Sequence, residues 1–290
     1  METNKVHKNV SLTKFNSWKV GGKAENFVIC SDISFLCQLI KNKKVQRPIK
    51  FIGLGSNILV RDNGVKGTTI VMHKGLNNFF KEEELFYSEA GLSCSKFSKL
   101  IAKEGYIGSA FLSGIPGTIG GALAMNAGCY GSEIWSFVKK VKMINADGDL
   151  IERNPNEFKV GYRKIKKKNE AENFVGAWFT FPKGKKLEAE KSIRKLLSHR
   201  KSTQPLSWPS AGSTFKNPDN NHAAKLIEDC GLKGFKIGDA KISEKHANFI
   251  INLGAAKAKD IEDLIKHIKK IVFKETKIKL IPEVEIIGDV

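Results

Sequence analysis

The chain has 290 residues, with 49 Lys and Arg against 30 Asp and Glu, a net charge of +19. At 41% hydrophobic and 27% charged residues it is too apolar for a disordered basic tail, and its length gives ample core for one large domain or two to three smaller ones. The surplus favours anionic partners (nucleic acid, an acidic membrane face or phosphorylated small molecules) without choosing among them or fixing a fold.

The first twenty residues carry Lys5, Lys8 and Lys14 and no continuous apolar run, so no secretory leader is expected. No stretch approaches the roughly 18 consecutive apolar residues of a membrane span. Asp32 or Ser31 predicts the cap of a short helix through Phe35, Leu36, Leu39 and Ile40. The apolar run Ile49–Ile52 reads as a strand ending in the turn Gly53-Leu54-Gly55-Ser56-Asn57. Strands follow at Ile58–Val60 and near Thr68. Ser93 predicts a helix cap, Phe97, Leu100 and Ile101 an apolar face, and Gly105 a stop. Residues 108–131 are too rich in Gly and Pro for a regular amphipathic helix. Val138–Ile144 reads as a strand, Asp147-Gly148 as a hairpin turn and 173–181 as another strand. Residues 188–201 form a basic helix, and a proline-bearing connector from Gln204 to Pro209 marks a boundary. Beyond it lie a short helix over 221–230, extended segments over 238–253, and a helix from Asp260. In that helix Ile261, Leu264, Ile265, Ile268 and Val272 recur at helical spacing. Residues 279–287 close the chain as a strand. Mixed helices and strands give an α+β class.

The five cysteines, Cys30, Cys37, Cys94, Cys129 and Cys230, are scattered and form no C-x-x-C. A disulfide framework and a Cys-rich zinc site are not expected, and the setting reads as a reducing cytoplasm. The six histidines form no H-E-x-x-H pair, so no metal is expected.

Five segments bear on chemistry. The 53–57 turn follows a strand, as a dinucleotide fingerprint should, but Ile58 stands where the third glycine belongs and the next residues look like strand. What survives is a turn whose bared N–H groups suit phosphate oxygens; an ordinary hairpin turn is the simpler reading of these residues alone. In Ser113-Gly114-Ile115-Pro116-Gly117-Thr118-Ile119-Gly120-Gly121, and on to Asn126 and Gly128, glycine density lets a ligand approach the backbone; a tight turn in a small-residue core explains it equally well. Arg163 follows Gly161-Tyr162 at the edge of a run, Lys164 to Lys168, that reads as solvated surface, and so does the arginine by itself. Ser213 lies in Ser210-Ala211-Gly212-Ser213-Thr214-Phe215-Lys216-Asn217-Pro218, which is no nucleophile elbow but can set a hydroxyl beside a ligand, or simply make a turn. Glu283 follows Pro282 in an apolar strand, a position that alone reads as an exposed edge.

Taken in order, Val20-Gly21-Gly22-Lys23-Ala24, the 53–59 and 113–131 segments, Gly161-Tyr162-Arg163, the 210–218 segment, residues 243–252 and Pro282-Glu283-Val284 give more than any one of them. The chain closely resembles the UDP-N-acetylenolpyruvoylglucosamine reductase family over almost its whole length. The resemblance implies a vanillyl-alcohol-oxidase-type (PCMH-type) FAD-binding fold of two subdomains plus a C-terminal α+β substrate-binding domain. Its expected limits are 1–70 for the first subdomain, rejoined by 279–290, then 71–204 for the second, and 205–278 for the substrate domain.

By the same resemblance FAD would meet Gly53, Gly55, Ser56, Asn57, Ser113, Gly114, Ile115, Pro116, Gly117, Thr118, Gly120, Gly121, Asn126 and Gly128. NADPH would reduce it, and N5 of the reduced flavin would give hydride to the vinyl carbon of UDP-N-acetylenolpyruvoylglucosamine, yielding UDP-N-acetylmuramate for peptidoglycan. Ser213 would be the proton donor, with Arg163 and Glu283 stabilising the enolate. Glu283 would be protonated or paired with Arg163. Tyr162, Lys216 and Asn217 would bind substrate. The short segment between Arg163 and Ser213 contains no tyrosine, which places the chain in the subgroup lacking a tyrosine-bearing closing loop. A cytoplasmic monomer is expected, with neither nucleic acid nor membrane insertion. Another FAD oxidoreductase of the same fold is the alternative, distinguished by its electron acceptor. A nucleic-acid-binding protein rests on charge alone and lacks a recognisable module.

Overall fold

The computed structural model describes residues 2–290, and contacts divide the chain into two compact units. The first holds Asn26–Leu54 and Gly67–Arg200 with the stretch up to His7; the second holds Lys8–Glu25, Gly55–Lys66 and Lys201–Val290. Contacts part the chain at Arg200 and otherwise only within the first 67 residues.

The first unit is built on an antiparallel sheet of five strands, in the order Leu150–Arg153, Val138–Ile144, Asn173–Phe179, Leu85–Glu89 and Phe79–Glu82. Because side chains alternate across a strand, this sheet has two unlike faces. On one, Phe86 and Phe179 are fully buried against Phe97 and Phe181. On the other, Lys140 and Lys142 lie over the Trp178 ring, 4.2 and 5.1 Å from its centroid. The helix Cys94–Lys103 packs on the aromatic face through Phe97 and Ile101, and the Ser93 hydroxyl caps it by accepting from Lys96 N–H at 3.2 Å. Strand Ile49–Ile52 pairs in parallel with the strand Val65–Val71, and the helix Ile33–Lys41 covers it with Leu36, Leu39 and Ile40. The cap of that helix is Asp32, which accepts from Phe35 N–H at 2.7 Å, while Ser31 only supports the carboxylate.

One expectation needs correcting. The 108–131 segment is not irregular throughout: it contains the seven-residue helix Ile119–Met125. Its glycines are tolerated because their missing Cβ atoms permit close packing; a Cβ on Gly120 would lie 2.8 Å from that of Ala90.

The second unit packs the helix Ala258–Thr276 on a sheet of Lys236–Ile237, Ala240–Ile242 and Ile250–Asn252. The stripe Ile261, Leu264, Ile265, Ile268 and Val272 is buried as its spacing predicted, and each such side chain contributes about 1.5–3 kcal/mol. The first N–H groups of this helix, on Ala258 and Lys259, both donate at 3.0 Å to the Asp62 carboxylate. The final strand is shorter than expected: only Glu285–Ile287 forms a ladder, in parallel with Ile58–Val60. Among the described residues no helix is long and apolar enough to cross a membrane, and no group of three or more His, Cys, Asp or Glu could hold a metal ion.

Candidate functional site

In the first unit the 53–57 turn begins where the parallel strand ends. The Gly53 carbonyl accepts from His73 Nδ1 at 2.9 Å. A Cβ on Gly53 would stand 2.3 Å from Thr118 Oγ1, so only glycine lets the turn approach the 113–121 loop this closely. One side of that loop is stitched to residues 90–94: Gly120 N–H donates to Ala90 O, Ile119 N–H to Leu92 O, and Cys94 N–H to Gly117 O, all within 2.8–2.9 Å. Thr118 Oγ1 accepts from Gly121 N–H and caps the following helix.

The other side is bare. Gly121 is exposed, and a Cβ there would meet only Thr118 Oγ1, at 3.7 Å. Pro116 is exposed too. A Cβ on Gly114 would meet the Tyr130 ring at 3.5 Å, Cys129 Sγ at 3.9 Å and Arg200 Cδ at 4.0 Å. Ser113 is 3% exposed and spends its hydroxyl on Ala110 O, so it supports the loop from within. Burial pushes the Cys129 thiol up to about 11, despite the Arg163 and Arg200 charges nearby, and burial also lowers the Arg200 guanidinium from its ordinary value.

The contact division falls inside the 53–57 turn, after Leu54. Gly55 is left-handed at φ +65, and its Cβ would be 2.0 Å from Phe15 O. The N–H groups of Leu54, Gly55 and Ser56 meet no protein acceptor among the described residues. Unpaired N–H donors on a glycine turn can bind an anion such as a phosphate.

Arg163 lies in the two-residue connection, Tyr162-Arg163, of the hairpin formed by Lys159–Gly161 and Lys164–Lys166, with φ +51. Its Nη1 donates to Asn126 O at 3.4 Å and its Nη2 to Gly128 O. Its guanidinium carbon is 5.1 Å from the centroid of the half-exposed Tyr162 ring. Thus Arg163 is a held cation, not the free surface arginine its neighbours suggested. Lys167 likewise departs from the solvated run: its ammonium donates to the carbonyls of Glu170 and Glu172, and burial lowers its pKa. Glu172, 3% exposed, is in turn gripped by Arg153 through bonds of 2.7 and 3.2 Å.

In the second unit, residues 209–216 run between two neighbours. On one side Asn252 N–H donates to Pro209 O at 3.0 Å, and Thr214 N–H donates to Asn248 O at 2.8 Å. The Asn248 amide, 3% exposed, accepts from Phe215 N–H at 2.9 Å and donates to Phe215 O at 2.8 Å. On the other side Glu283 N–H donates to Thr214 O at 2.8 Å and Lys216 N–H to Ile281 O at 2.9 Å. Asn57 joins this group by donating from Nδ2 to Glu283 O at 3.0 Å. Ser213 is partly exposed, next to the left-handed Gly212 at φ +74.

The predicted residues therefore gather in two sets. Gly53, the 113–121 loop, Asn126, Gly128, Tyr162 and Arg163 belong to the first unit; Gly55, Ser56, Asn57, Ser213, Lys216, Asn217 and Glu283 to the second. Asn217 is exposed, but its Oδ1 is already used, accepting from Ala223 N–H at 3.1 Å to start the helix Ala223–Asp229. The sequence reading missed His73, Tyr130 and the frame built by Asn248. Tyr130 and Asn248 lie in the 113–131 and 243–252 segments, where their roles stayed unassigned; His73 had no signal.

Two family models match the chain: an FAD binding domain over residues 26–154, and the C-terminal domain of UDP-N-acetylenolpyruvoylglucosamine reductase over residues 204–287. UDP-N-acetylenolpyruvoylglucosamine reductase from Nitrosomonas eutropha is 46% identical over 283 residues, covering 94% of this chain and 85% of that one. Its counterpart from Nitrosospira multiformis is 42% identical, covering 96% and 87%. The crystal structure of the reductase from Thermus caldophilus superposes with a TM-score of 0.84 at 30% identity, covering 98% of this chain and 99% of that one.

Proposed function

The chain belongs to the UDP-N-acetylenolpyruvoylglucosamine reductase family, a family of flavoprotein reductases of peptidoglycan precursor synthesis with an α+β FAD-binding fold, and from that premise we propose how its residues divide the reaction. FAD, recharged by NADPH, supplies the hydride that turns the enolpyruvyl ether of UDP-N-acetylenolpyruvoylglucosamine into the lactyl ether of UDP-N-acetylmuramate. Gly53 and the 113–121 loop of the first unit would hold the cofactor's diphosphate, and Gly55, Ser56 and Asn57 of the second unit would also contact the cofactor. The bare side of that loop and the unpaired turn amides support this reading.

Hydride addition to the vinyl carbon leaves negative charge on the substrate carboxylate as an enolate. Arg163 meets that charge with a fixed cation, whose position costs no rearrangement during the reaction. A carboxylate beside an enolate repels it, so Glu283 serves as a protonated hydrogen-bond donor or as the partner of a cation. Ser213 gives its proton to the adjacent carbon. A serine is a weak acid, and Lys216, three residues on, steadies the alkoxide it leaves. Tyr162 and Asn217 contact the substrate. The protein works as a cytoplasmic monomer of the subgroup without the tyrosine loop.

The observation that supports this reading is the main-chain bond from Glu283 N–H to Thr214 O, which brings the strand that carries Glu283 against the segment that carries Ser213 within one unit. The test is stopped-flow absorbance of the flavin. NADPH should bleach it, and the enolpyruvyl substrate should restore it. Ser213→Ala should bleach normally but reoxidise with substrate about 10²–10⁴-fold more slowly. Undiminished turnover removes Ser213 from its role. A chain that takes up no FAD, or one that oxygen reoxidises rapidly without the substrate, sinks the reading as a whole.

A further inference from the structure

Asn126 is the residue most completely enclosed around the arginine. It is 0% exposed, and it ends the helix Ile119–Met125 in the left-handed conformation, φ 48 and ψ 57, which Asn tolerates better than most side chains. Each polar part of its side chain is engaged within the protein. Nδ2 donates to Gly161 O at 3.1 Å, and Oδ1 accepts from Trp135 N–H at 3.4 Å. Its own carbonyl accepts from Arg163 Nη1 at 3.4 Å.

We propose that Asn126 is a positioning residue for Arg163 and that its side chain makes no contact with the cofactor. The inference rests on the reading of Arg163 as the cation that meets the enolate. Two contacts from one residue define the arginine at both ends. The side-chain amide clamps the hairpin backbone at Gly161, two residues before Arg163, and so fixes where its Cα stands. The left-handed backbone turns the Asn126 carbonyl toward the guanidinium, and Gly128 O, two residues further, takes the second nitrogen. An arginine on an exposed two-residue turn samples many rotamers. Holding its head on two carbonyls, and its base on the same chain segment, selects one of them before substrate arrives. Trp135 N–H, by bonding Oδ1, keeps the amide from flipping, so that Nδ2 faces Gly161.

The test is a double-mutant cycle read on the two half-reactions. Asn126→Gly keeps the left-handed backbone and removes the clamp; Asn126→Asp keeps the acceptor for Trp135 but turns a carboxylate oxygen on the Gly161 carbonyl in place of the donor, and serves where the glycine variant folds poorly. Either should retain FAD and be reduced by NADPH within about twofold of the parent, while reoxidation by the enolpyruvyl substrate slows about 10–100-fold, the scale of a misplaced catalytic group. In an Arg163→Ala background the same Asn126 change should cost less than about twofold more, because the group it positions is gone. Full additivity with Arg163→Ala, or equal loss in both half-reactions, overturns the proposal. So does loss of FAD from a variant whose Tm is unchanged, since that returns Asn126 to the cofactor. If Arg163→Ala by itself leaves reoxidation intact, the role of Arg163 falls and the inference falls with it; if Arg163 matters and Asn126 acts independently, only the inference falls.

Discussion

The Glu283 N–H donates to the Thr214 carbonyl at 2.8 Å, so a residue near the C-terminus and the serine loop share one backbone ladder. Asn57 donates to the Glu283 carbonyl at 3.0 Å and extends that ladder to the residues after the glycine turn. The backbone segments that carry Glu283 and Ser213 are therefore held together by hydrogen bonds within one unit.

That ladder depends on Asn248. Its buried amide makes both a donor and an acceptor bond to Phe215, and truncation leaves two buried backbone groups unpaired. Asn248→Ala should lower stability by about 2–4 kcal/mol, counting roughly 1–2 kcal/mol for each orphaned group. Urea unfolding measures this. A midpoint unchanged from the parent would show that the frame around Ser213 is held by other means.

Gly53 and Gly121 predict opposite results. Gly53→Ala meets Thr118 Oγ1 at 2.3 Å and should lower both Tm and flavin content. Gly121→Ala meets no protein atom closer than 3.7 Å, and helix propensity favours alanine by about 1 kcal/mol, so Tm should hold or rise while FAD affinity drops. Flavin absorbance after desalting, alongside a thermal melt, separates the two. Retention of full FAD affinity by Gly121→Ala would take the cofactor off the open side of the loop.

His73 gives a pH dependence whose sign can be worked out. Burial lowers its pKa below the ordinary histidine value, so the folded state keeps the ring neutral while the unfolded chain takes up a proton more readily. Its contribution is complete above the unfolded value, about 6.5, and stability is lost as pH falls through that region toward the lower folded value. His246 is shifted the same way, also by burial, so the comparison must be with a variant. His73→Gln should show a smaller fall in Tm between pH 8 and 5.5 than the parent. Equal slopes would mean that His73 does not couple folding to protons.

The helix Ala258–Thr276 supplies a test of the second core. Ile268 is 0% exposed in the middle of its stripe, and Ile268→Ala should cost about 2–5 kcal/mol, the range for removing a buried aliphatic side chain. A loss well under 1 kcal/mol in chemical denaturation would show that this core collapses readily around the gap.

The features legible from the residues alone depend on near neighbours along the chain. The caps at Asp32 and Ser93 and the stripe from Ile261 to Val272 need only a turn or two of helix to be read. The turn at Asp147-Gly148 is equally local. The order of the glycine and serine segments singled out the residues proposed for the site through the family resemblance, since glycine density alone fits a tight turn equally well. Tertiary structure decided the rest. The helix within 108–131 could not be read, since Gly120 and Gly121 oppose it locally, and the close packing of Gly120 on Ala90 is seen only in the folded chain. Lys167 looked like its neighbours until the fold removed water from it, and Arg163 looked like surface until Asn126 and Gly128 offered it carbonyls. Likewise, nothing local to Ser213 or Glu283 indicates the other. The Glu283 N–H meets the Thr214 carbonyl only when distant segments close on one another, and the loss of solvent and the meeting of hydrogen-bond partners across long separations are properties of the closed chain.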